Sequence, residues 1–515
     1  MNQVLKNSFS NWAGYITNVC IVFFLTPFII HTLGKESYGL WILLISLTGY
    51  LSILDFGMRT SIGKYVAEFH TLKDFTNLNN FLNTALTSLT LVMLGILILG
   101  FIFIYFFLDT FNLPAHLFEE AHLIAYIIVI NVAVGVPLSI PVGILTGLQR
   151  YDILNVVTIV INVVKAISIV YFLNIGYGLM ALVILTVSYS LIQYIANAIA
   201  AFSIFHSYKI KLIYFNRSHF HKATSYGMAS FVIKIADRII FYTDTILIGK
   251  LLSTALISIY APAESLIAYL RSMIISLITT LIPTVSSLES KNDYVSIRKI
   301  ALTSTRYIGL IIFPITFGVF LLADDFIRLW LGPDFGETAI IMKILIIPQT
   351  LGLVQYGPEI ILYGLNKHRS LAYLMTIIAL TNVIFSLILV KYFGIYGIAL
   401  GTALPLSLGQ TIVTPLLAKK HFGLNIGLYL RESILPAIKG ASVFGLLLWI
   451  LRSQITVTHW GNFFLNIILT TIFSLPGIYY FSLTSDERIK LNLWFNNLTY
   501  TKGLCQIFTA DNKPK

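Results

Sequence analysis

The chain has 515 residues, of which 57% are apolar and only 11% are charged. Soluble domains carry about 25% charged residues, and a chain this poor in charge cannot cover so much apolar surface in water, so a soluble enzyme, a disordered chain and a secreted disulfide scaffold are excluded and a polytopic membrane protein remains. The net charge of +12 points to the cytoplasmic loops of a membrane protein rather than to nucleic acid.

Fourteen apolar segments run along the chain, at about 11–31, 39–57, 83–107, 121–145, 153–173, 177–201, 227–249, 256–283, 305–323, 339–363, 371–390, 396–418, 434–451 and 461–483. At about 20 residues per crossing each is long enough to span. The predicted fold is therefore all-α, with about 14 transmembrane helices. The first segment exceeds a signal h-region and no A-x-A site follows, so it reads as an uncleaved helix. Cys20 lies in that segment and Cys505 in the polar tail, which leaves no disulfide framework.

An even number of crossings puts both termini on one side. With the termini inside, the inner segments carry twenty-three lysines and arginines and the outer loops five: Lys35, Lys250, Arg328, Lys391 and Arg452. That asymmetry predicts cytoplasmic termini. In the first long inner loop Phe69, Leu72, Phe75 and Leu78 recur at helical spacing around Lys73. They predict either an amphipathic segment on the membrane surface or an extension of a membrane helix. His219 and His221, in another basic inner loop, are expected to be solvated.

The chain repeats itself. Gly147-Leu148-Gln149-Arg150 precedes Ile175-Gly176-Tyr177-Gly178 as Gly364-Leu365-Asn366-Lys367 precedes Gly394-Ile395-Tyr396-Gly397. Span one maps on span seven, an even step, so the halves are parallel. The predicted division is an N-terminal six-helix lobe at 1–205, a cytoplasmic linker at 206–226, a C-terminal six-helix lobe at 227–420, two additional helices at 421–485 and a cytoplasmic tail at 486–515. Two such bundles enclose a central site and rock to expose it alternately.

Ionisable groups at bilayer depth cost roughly 2.5–3.5 kcal/mol each on insertion scales and normally face a cavity or one another. Span seven holds Lys234, Asp237, Arg238 and Asp244. At 100° per residue they share one stripe about 120° wide. Span eight adds Glu264 and Arg271 with Tyr260, span five adds Lys165, and span one carries Asn11, Tyr15 and Asn18 on one face. Six intramembrane cations (Lys165, Lys234, Arg238, Arg271, Lys343, Lys439) meet five acids (Asp55, Asp237, Asp244, Glu264, Glu359). The expected site is a polar chamber with Lys165, Lys234, Arg238 and Arg271 holding an anion such as phosphate. Asp237, Asp244 or Glu264 are candidates to carry a coupling ion, and Asn11, Tyr15, Asn18 and Tyr260 to touch sugar or line the path. Internal pairing, such as Lys234 with Asp237, is the alternative. No Walker A, G-x-S-x-G, H-E-x-x-H or Cys/His cluster is present, so no catalytic site, metal or cofactor is expected.

Leu33-Gly34-Lys35-Glu36-Ser37-Tyr38-Gly39-Leu40-Trp41, ending in Leu54-Asp55-Phe56-Gly57-Met58, resembles the start of the polysaccharide-transporter flippases of the multidrug/oligosaccharidyl-lipid/polysaccharide exporter superfamily. Asp244-Thr245-Ile246-Leu247-Ile248-Gly249 with Tyr260 and Ala263, Leu331-Gly332-Pro333-Asp334-Phe335 and Gly364-Leu365-Asn366 are similar to further parts of that family. The resemblance implies alternating access in a bacterial cytoplasmic (inner) membrane. The implied cargo is an undecaprenyl-pyrophosphate-linked oligosaccharide, an O-antigen or other surface-polysaccharide repeat unit. Implied partners are that cargo, membrane lipids, a polysaccharide polymerase and a chain-length regulator. The runner-up is a multidrug/cation antiporter, which predicts a cavity ruled by acids and aromatics. A polymerase or ligase would need a sizeable outer loop, and none is present.

Overall fold

The computed structural model describes residues 3–55, 57–205, 209, 211, 214–490 and 492–493. Among these the chain is helical throughout its regular parts, with no strand. Most of the tail predicted at 486–515, the linker residues 206–208, 210, 212 and 213, and Cys505 lie outside the described residues.

The first two predicted spans form one long element, α1 (Gln3–Leu51), broken at Gly34, whose φ of 80° and ψ of 166° leave the helix. That positive φ suits a residue without Cβ. There follow α2 (Met58–Thr71), α3 (Phe75–Phe107), α4 (Phe118–Gly135), α5 (Ile140–Gly147), α6 (Tyr151–Asn174), α7 (Gly178–Ile204) and α8 (Arg217–Leu251). Then come α9 (Thr254–Ile278), α10 (Ile282–Ser290), α11 (Tyr294–Trp330), α12 (Gly336–Val354), α13 (Tyr356–Gly364), α14 (His368–Phe393) and α15 (Ile395–Leu408). The last are α16 (Thr414–Phe422), α17 (Ile426–Tyr429), α18 (Leu435–Gln454) and α19 (Trp460–Ser482).

Among the described residues twelve helical stretches are long and apolar enough to cross a membrane. The first contains both crossings of α1. α8 falls outside that set because its charges dilute its apolar character, yet at 35 residues it is long enough to span. The fourth and tenth predicted spans differ from expectation, for each is two helices. Pro137 and Pro358 have no N–H for the carbonyls four residues earlier, so the ladder breaks between α4 and α5 and between α12 and α13.

Packing divides the chain into two compact units. One comprises Met1–Leu270, Asp334–Leu345 and His368–Gly409, the other Arg271–Pro333, Ile346–Lys367 and Gln410–Lys515. The first has a core in which Ile62, Tyr65 and Val66 of α2 meet Phe81, Leu82 and Ala85 of α3 and Ile140 and Ile144 of α5. In the second, Leu322 of α11 packs with Phe444 and Leu448 of α18 and Phe463 of α19.

The loop between α2 and α3 is a tight turn within the protein. Phe69 and Leu78 are buried in the core, whereas Leu72 and Phe75 face outward. α3 thus extends its span inward from Phe75, and Phe69 and Leu78 do not lie on a membrane surface. His219 is likewise not solvated. It is buried edge-on against Phe69 and Phe81 at 6.2 and 6.1 Å. Burial, with Lys222 nearby, pushes its imidazole below the ordinary value, so the ring is neutral at pH 7.

The linker before α8 is held by a ladder of polar side chains on α3. Asn79 and Asn83 accept from the N–H groups of Lys209 and Lys211, each at 2.7 Å, and Asn83 donates to the Lys209 carbonyl at 2.8 Å. Thr87 both accepts from and donates to the Tyr214 backbone, and Thr84 accepts from Asn216. Extended backbone has no partners of its own, and these side chains supply them.

The internal repeat recurs as geometry within each unit. Gln149 and Asn366 both take a φ of 55°. The following amides, of Arg150 and Lys367, both donate 2.8 Å bonds to the carbonyls five residues back, those of Leu145 and Leu362. Lys73 and Asn292 take φ values of 54° and 56°. Asp74 and Asp293 next to them cap α3 and α11 by accepting from the N–H three residues on, at 3.1 and 3.0 Å. Each pair stands 217 or 219 positions apart in the sequence.

Gly39 in the first unit shows the tolerance of this packing. A Cβ there would stand 1.8 Å from the Thr254 carbonyl oxygen, whereas one at Gly95 would meet nothing within 4 Å. Gly39→Ala should cost about 1–3 kcal/mol, because backbone cannot yield as a side chain does. In thermal unfolding of the detergent-solubilised protein its midpoint should fall clearly while that of Gly95→Ala holds. Equal midpoints would contradict this packing.

Candidate functional site

α8 opens on Asn216, whose side chain accepts from the N–H groups of Ser218 and His219 at 2.9 and 3.2 Å. This N-cap fixes where the helix starts and hence the direction of its charged stripe. Along it Lys234 and Asp237 are exposed and Arg238 is half-buried. The Arg238 guanidinium lies 4.2 Å from the centre of the Tyr242 ring, one turn on. A cation over an aromatic face gains about 0.5–2 kcal/mol without a counter-charge. Tyr242 in turn rests against α1 where Gly49 leaves room, with ring carbons 3.2 and 3.3 Å from the position a Cβ would take.

Tyr50 joins α1 to the same stretch of α8. Its hydroxyl donates to the Arg238 carbonyl at 3.0 Å and meets the Thr243 hydroxyl at 2.6 Å. Arg238, Asp244 and Glu264 are all close enough to act on it electrostatically. Tyr50 is therefore a hub that inspection of charges alone overlooks. Neither Lys234 nor Arg238 is given an ion-pair partner among the described residues.

Asp244 belongs to a different environment. It is buried, and its Oδ2 accepts from the Tyr260 hydroxyl at 2.5 Å and the Thr402 hydroxyl at 2.7 Å. Asn382 donates to the Thr402 oxygen at 2.6 Å. Oδ1 has no hydrogen-bond partner among the described residues. Three helices beyond α8 build this nest: α9 brings Tyr260, α14 Asn382 and α15 Thr402. Tyr260 is fully buried, its hydroxyl turned to Asp244. Thr402 and Asn382 are neutral polar residues in apolar spans, the one signal by which the sequence could have disclosed them.

The remaining predicted residues are dispersed. Lys165 is half-buried midway along α6, and among the described residues it makes no hydrogen bond or ion pair with the α8 stripe. Glu264 is half-buried on α9, near enough to Tyr260 to act on its hydroxyl. Arg271, seven residues further along α9, is half-buried and belongs to the second unit. Asn11 accepts from the Asn155 side chain of α6 at 2.7 Å. Tyr15 donates to the Tyr269 carbonyl, and Asn18 bonds the Tyr269 side chain, so one face of α1 is tied to α9. In the second unit Glu359 is buried near Tyr429, whose hydroxyl donates to Gln355 at 2.8 Å. Among the described residues no group of three His, Cys, Asp or Glu side chains is arranged to hold a metal ion.

Comparison with known proteins agrees with this architecture. Residues 33–340 match the family described as polysaccharide biosynthesis protein. A probable flippase of Haloferax volcanii, AglR, is 22% identical over 425 residues, covering 81% of this chain and 84% of that protein. The lipid II flippase MurJ, solved in an inward closed conformation, superposes with a TM-score of 0.69 at 16% identity, over 92% of this chain and 97% of MurJ. An inward-facing multidrug-resistance transporter of the MATE family, itself of the MOP superfamily, superposes with a TM-score of 0.68 at 14% identity, over 78% of this chain and 94% of that one. With more than half its length matched, the chain belongs to the polysaccharide biosynthesis protein family, as a polytopic membrane protein that shares the helical fold of these flippases and transporters.

Proposed function

We propose that the protein flips a polyprenyl-pyrophosphate-linked oligosaccharide, with undecaprenyl as the lipid and a surface-polysaccharide repeat as the sugar, from the cytoplasmic to the outer leaflet. The observation that carries this reading is the pair of cations on α8, Lys234 and Arg238, which lack a carboxylate partner among the described residues. Uncompensated cations at membrane depth are costly unless they face water or an anion. A pyrophosphate offers both the charge and the forked oxygen geometry that a guanidinium reads. The probable-flippase relative supports a flipping activity, and the family description, polysaccharide biosynthesis, supports a glycan cargo.

In this reading the headgroup enters from the cytoplasm and exchanges its water for Lys234 and Arg238, aided by Lys165 and Arg271, while the prenyl tail stays in lipid. The lobes at 1–205 and 227–420 rock about the linker, the helices at 421–485 border the tail, and both termini lie in the cytoplasm of a bacterial cell. A polysaccharide polymerase and a chain-length regulator take the product. The positive charge of the inner loops supports this orientation. A multidrug antiporter would need acids to dominate its cavity, whereas the cations Lys234 and Arg238 outnumber the one exposed acid of the α8 stripe, Asp237, and Asp244 is enclosed by hydroxyls.

Asp244 is the coupling residue of choice. A buried carboxylate with one oxygen unpartnered is stable only when a proton or a cation joins it. Tyr260, Thr402 and Asn382 hold it ready for either a proton or a sodium ion.

Two outcomes follow. Arg238→Ala or Arg271→Ala should reduce glycan export about 10–100-fold, the worth of one charge-assisted bond to phosphate, at unchanged protein level. Surface-glycan staining with a membrane immunoblot reads this, and unimpaired export in both variants would refute the cationic site. In inverted vesicles, an imposed proton or sodium gradient should accelerate flipping by the native protein. Asp244→Asn should flip at one rate with or without it. A gradient response equal to that of the native protein would remove Asp244 from coupling.

A further inference from the structure

We infer that the first unit holds one anionic glycerophospholipid in a cleft between α1, α3, α4 and α8, with an acyl chain inside and its phosphate on Lys250. The cleft has a volume of about 680 Å³, within the roughly 300–1,000 Å³ of ligand pockets. It runs from Tyr50 and Thr243 at mid-helix to Lys250, where α8 ends. Leu99, Ile102 and Phe107 stand at its opening, each about half exposed at 51%, 46% and 50%, so it is open to the surrounding hydrocarbon.

Apart from Lys250, the polar side chains that line it are Thr48, Tyr50, Thr110 and Thr243, and each is satisfied within the chain. Thr48 and Thr110 donate to the carbonyls of Leu44 and Phe107, both at 2.8 Å. Tyr50 and Thr243 bond each other at 2.6 Å. The interior therefore offers hydrocarbon contact and no free hydrogen-bonding group, which suits an acyl chain and not a sugar.

Lys250 is different. Among the described residues it forms no ion pair, whereas three of the four other cations of the loops assigned to that side, Arg328, Arg452 and Lys35, are engaged, and the fourth, Lys391, does not line the cleft. Arg328 and Arg452 share Asp325 at 2.9 and 3.0 Å, and Lys35 donates to the Asp334 carbonyl and lies over Phe335. Nor is the Lys250 ammonium needed to cap α8. Asn112 already satisfies that terminus, donating from its side chain to the carbonyls of Lys250 and Leu252, each at 3.1 Å, and from its backbone to that of Gly249 at 3.2 Å. One free ammonium at the mouth of an apolar cleft matches one phosphodiester. The doubly charged pyrophosphate of the proposed cargo finds its paired cations twelve or more residues earlier on the helix, about 18 Å away.

The test is native mass spectrometry of the full-length protein after delipidation, with phosphatidylglycerol or phosphatidylcholine added back. The native protein should keep one phosphatidylglycerol about fivefold more tightly than phosphatidylcholine, the worth of one lysine at an anionic headgroup. Lys250→Gln, at an exposed position where folding is not at stake, should abolish the preference, and Lys250→Arg should keep it. Leu47→Trp, which fills the cleft, should release both lipids. Undiminished preference in Lys250→Gln, lipid retained in a folded Leu47→Trp protein, or a tightly held lipid that proves to be a polyprenyl pyrophosphate would each overturn the assignment.

Discussion

A polar group inside a bilayer must find its partner within the protein, because the surrounding hydrocarbon offers none. Each notable feature of this chain answers that demand in its own way. The same accounting extends to the linker before α8, outside the spans, whose backbone takes its hydrogen bonds from Asn79, Asn83, Thr84 and Thr87 of α3. Asp244 is buried, and Tyr260 and Thr402 turn their hydroxyls toward it. Arg238 gains an aromatic face instead of a carboxylate. Lys234 stands exposed on the stripe, with no ion pair given to it among the described residues, which is why a site for an anion is proposed around it.

Much of the fold is legible in the sequence because burial in lipid is a property of composition. Fourteen apolar segments correspond to the twelve apolar stretches, the second crossing of α1 and the charged α8. The breaks at Pro137 and Pro358 were not anticipated, since proline inside an apolar run leaves hydropathy intact while removing one N–H. The repeat was visible where a left-handed turn demands a small or polar residue, at Gln149 and Asn366. It passed unseen at Asp74 and Asp293, whose neighbours share no identity although the caps they form are alike. His219 misled because a basic stretch of sequence says nothing of the aromatic rings that fold over one of its members.

The site divides along the same line. Charges declare themselves in an apolar sequence, and Lys234, Arg238 and Asp244 are all notable on α8. Their partners do not, because Tyr50, Thr402 and Asn382 come from distant crossings and are neutral. Once placed, they separate two roles that spacing had merged into one stripe. Arg238 sits against Tyr242 and the Tyr50 hub, while Asp244 is withdrawn into hydroxyls. The proposed anion binding and the proposed ion coupling thereby fall on different turns of one helix, so that a shift of α8 would be felt by both.

The most direct test asks whether water reaches the stripe. With Cys20 and Cys505 replaced by serine, single cysteines at Lys234, Arg238 and Val232 can be challenged with a charged, membrane-impermeant methanethiosulfonate. Val232 is 38% exposed but lies about 160° around the helix from Lys234, where lipid is expected. Cysteines at 234 and 238 should react, and more slowly when a polyprenyl pyrophosphate is present, while the cysteine at 232 stays unmodified. Inert cysteines at both 234 and 238 would show that these side chains face no aqueous chamber, contradicting the account.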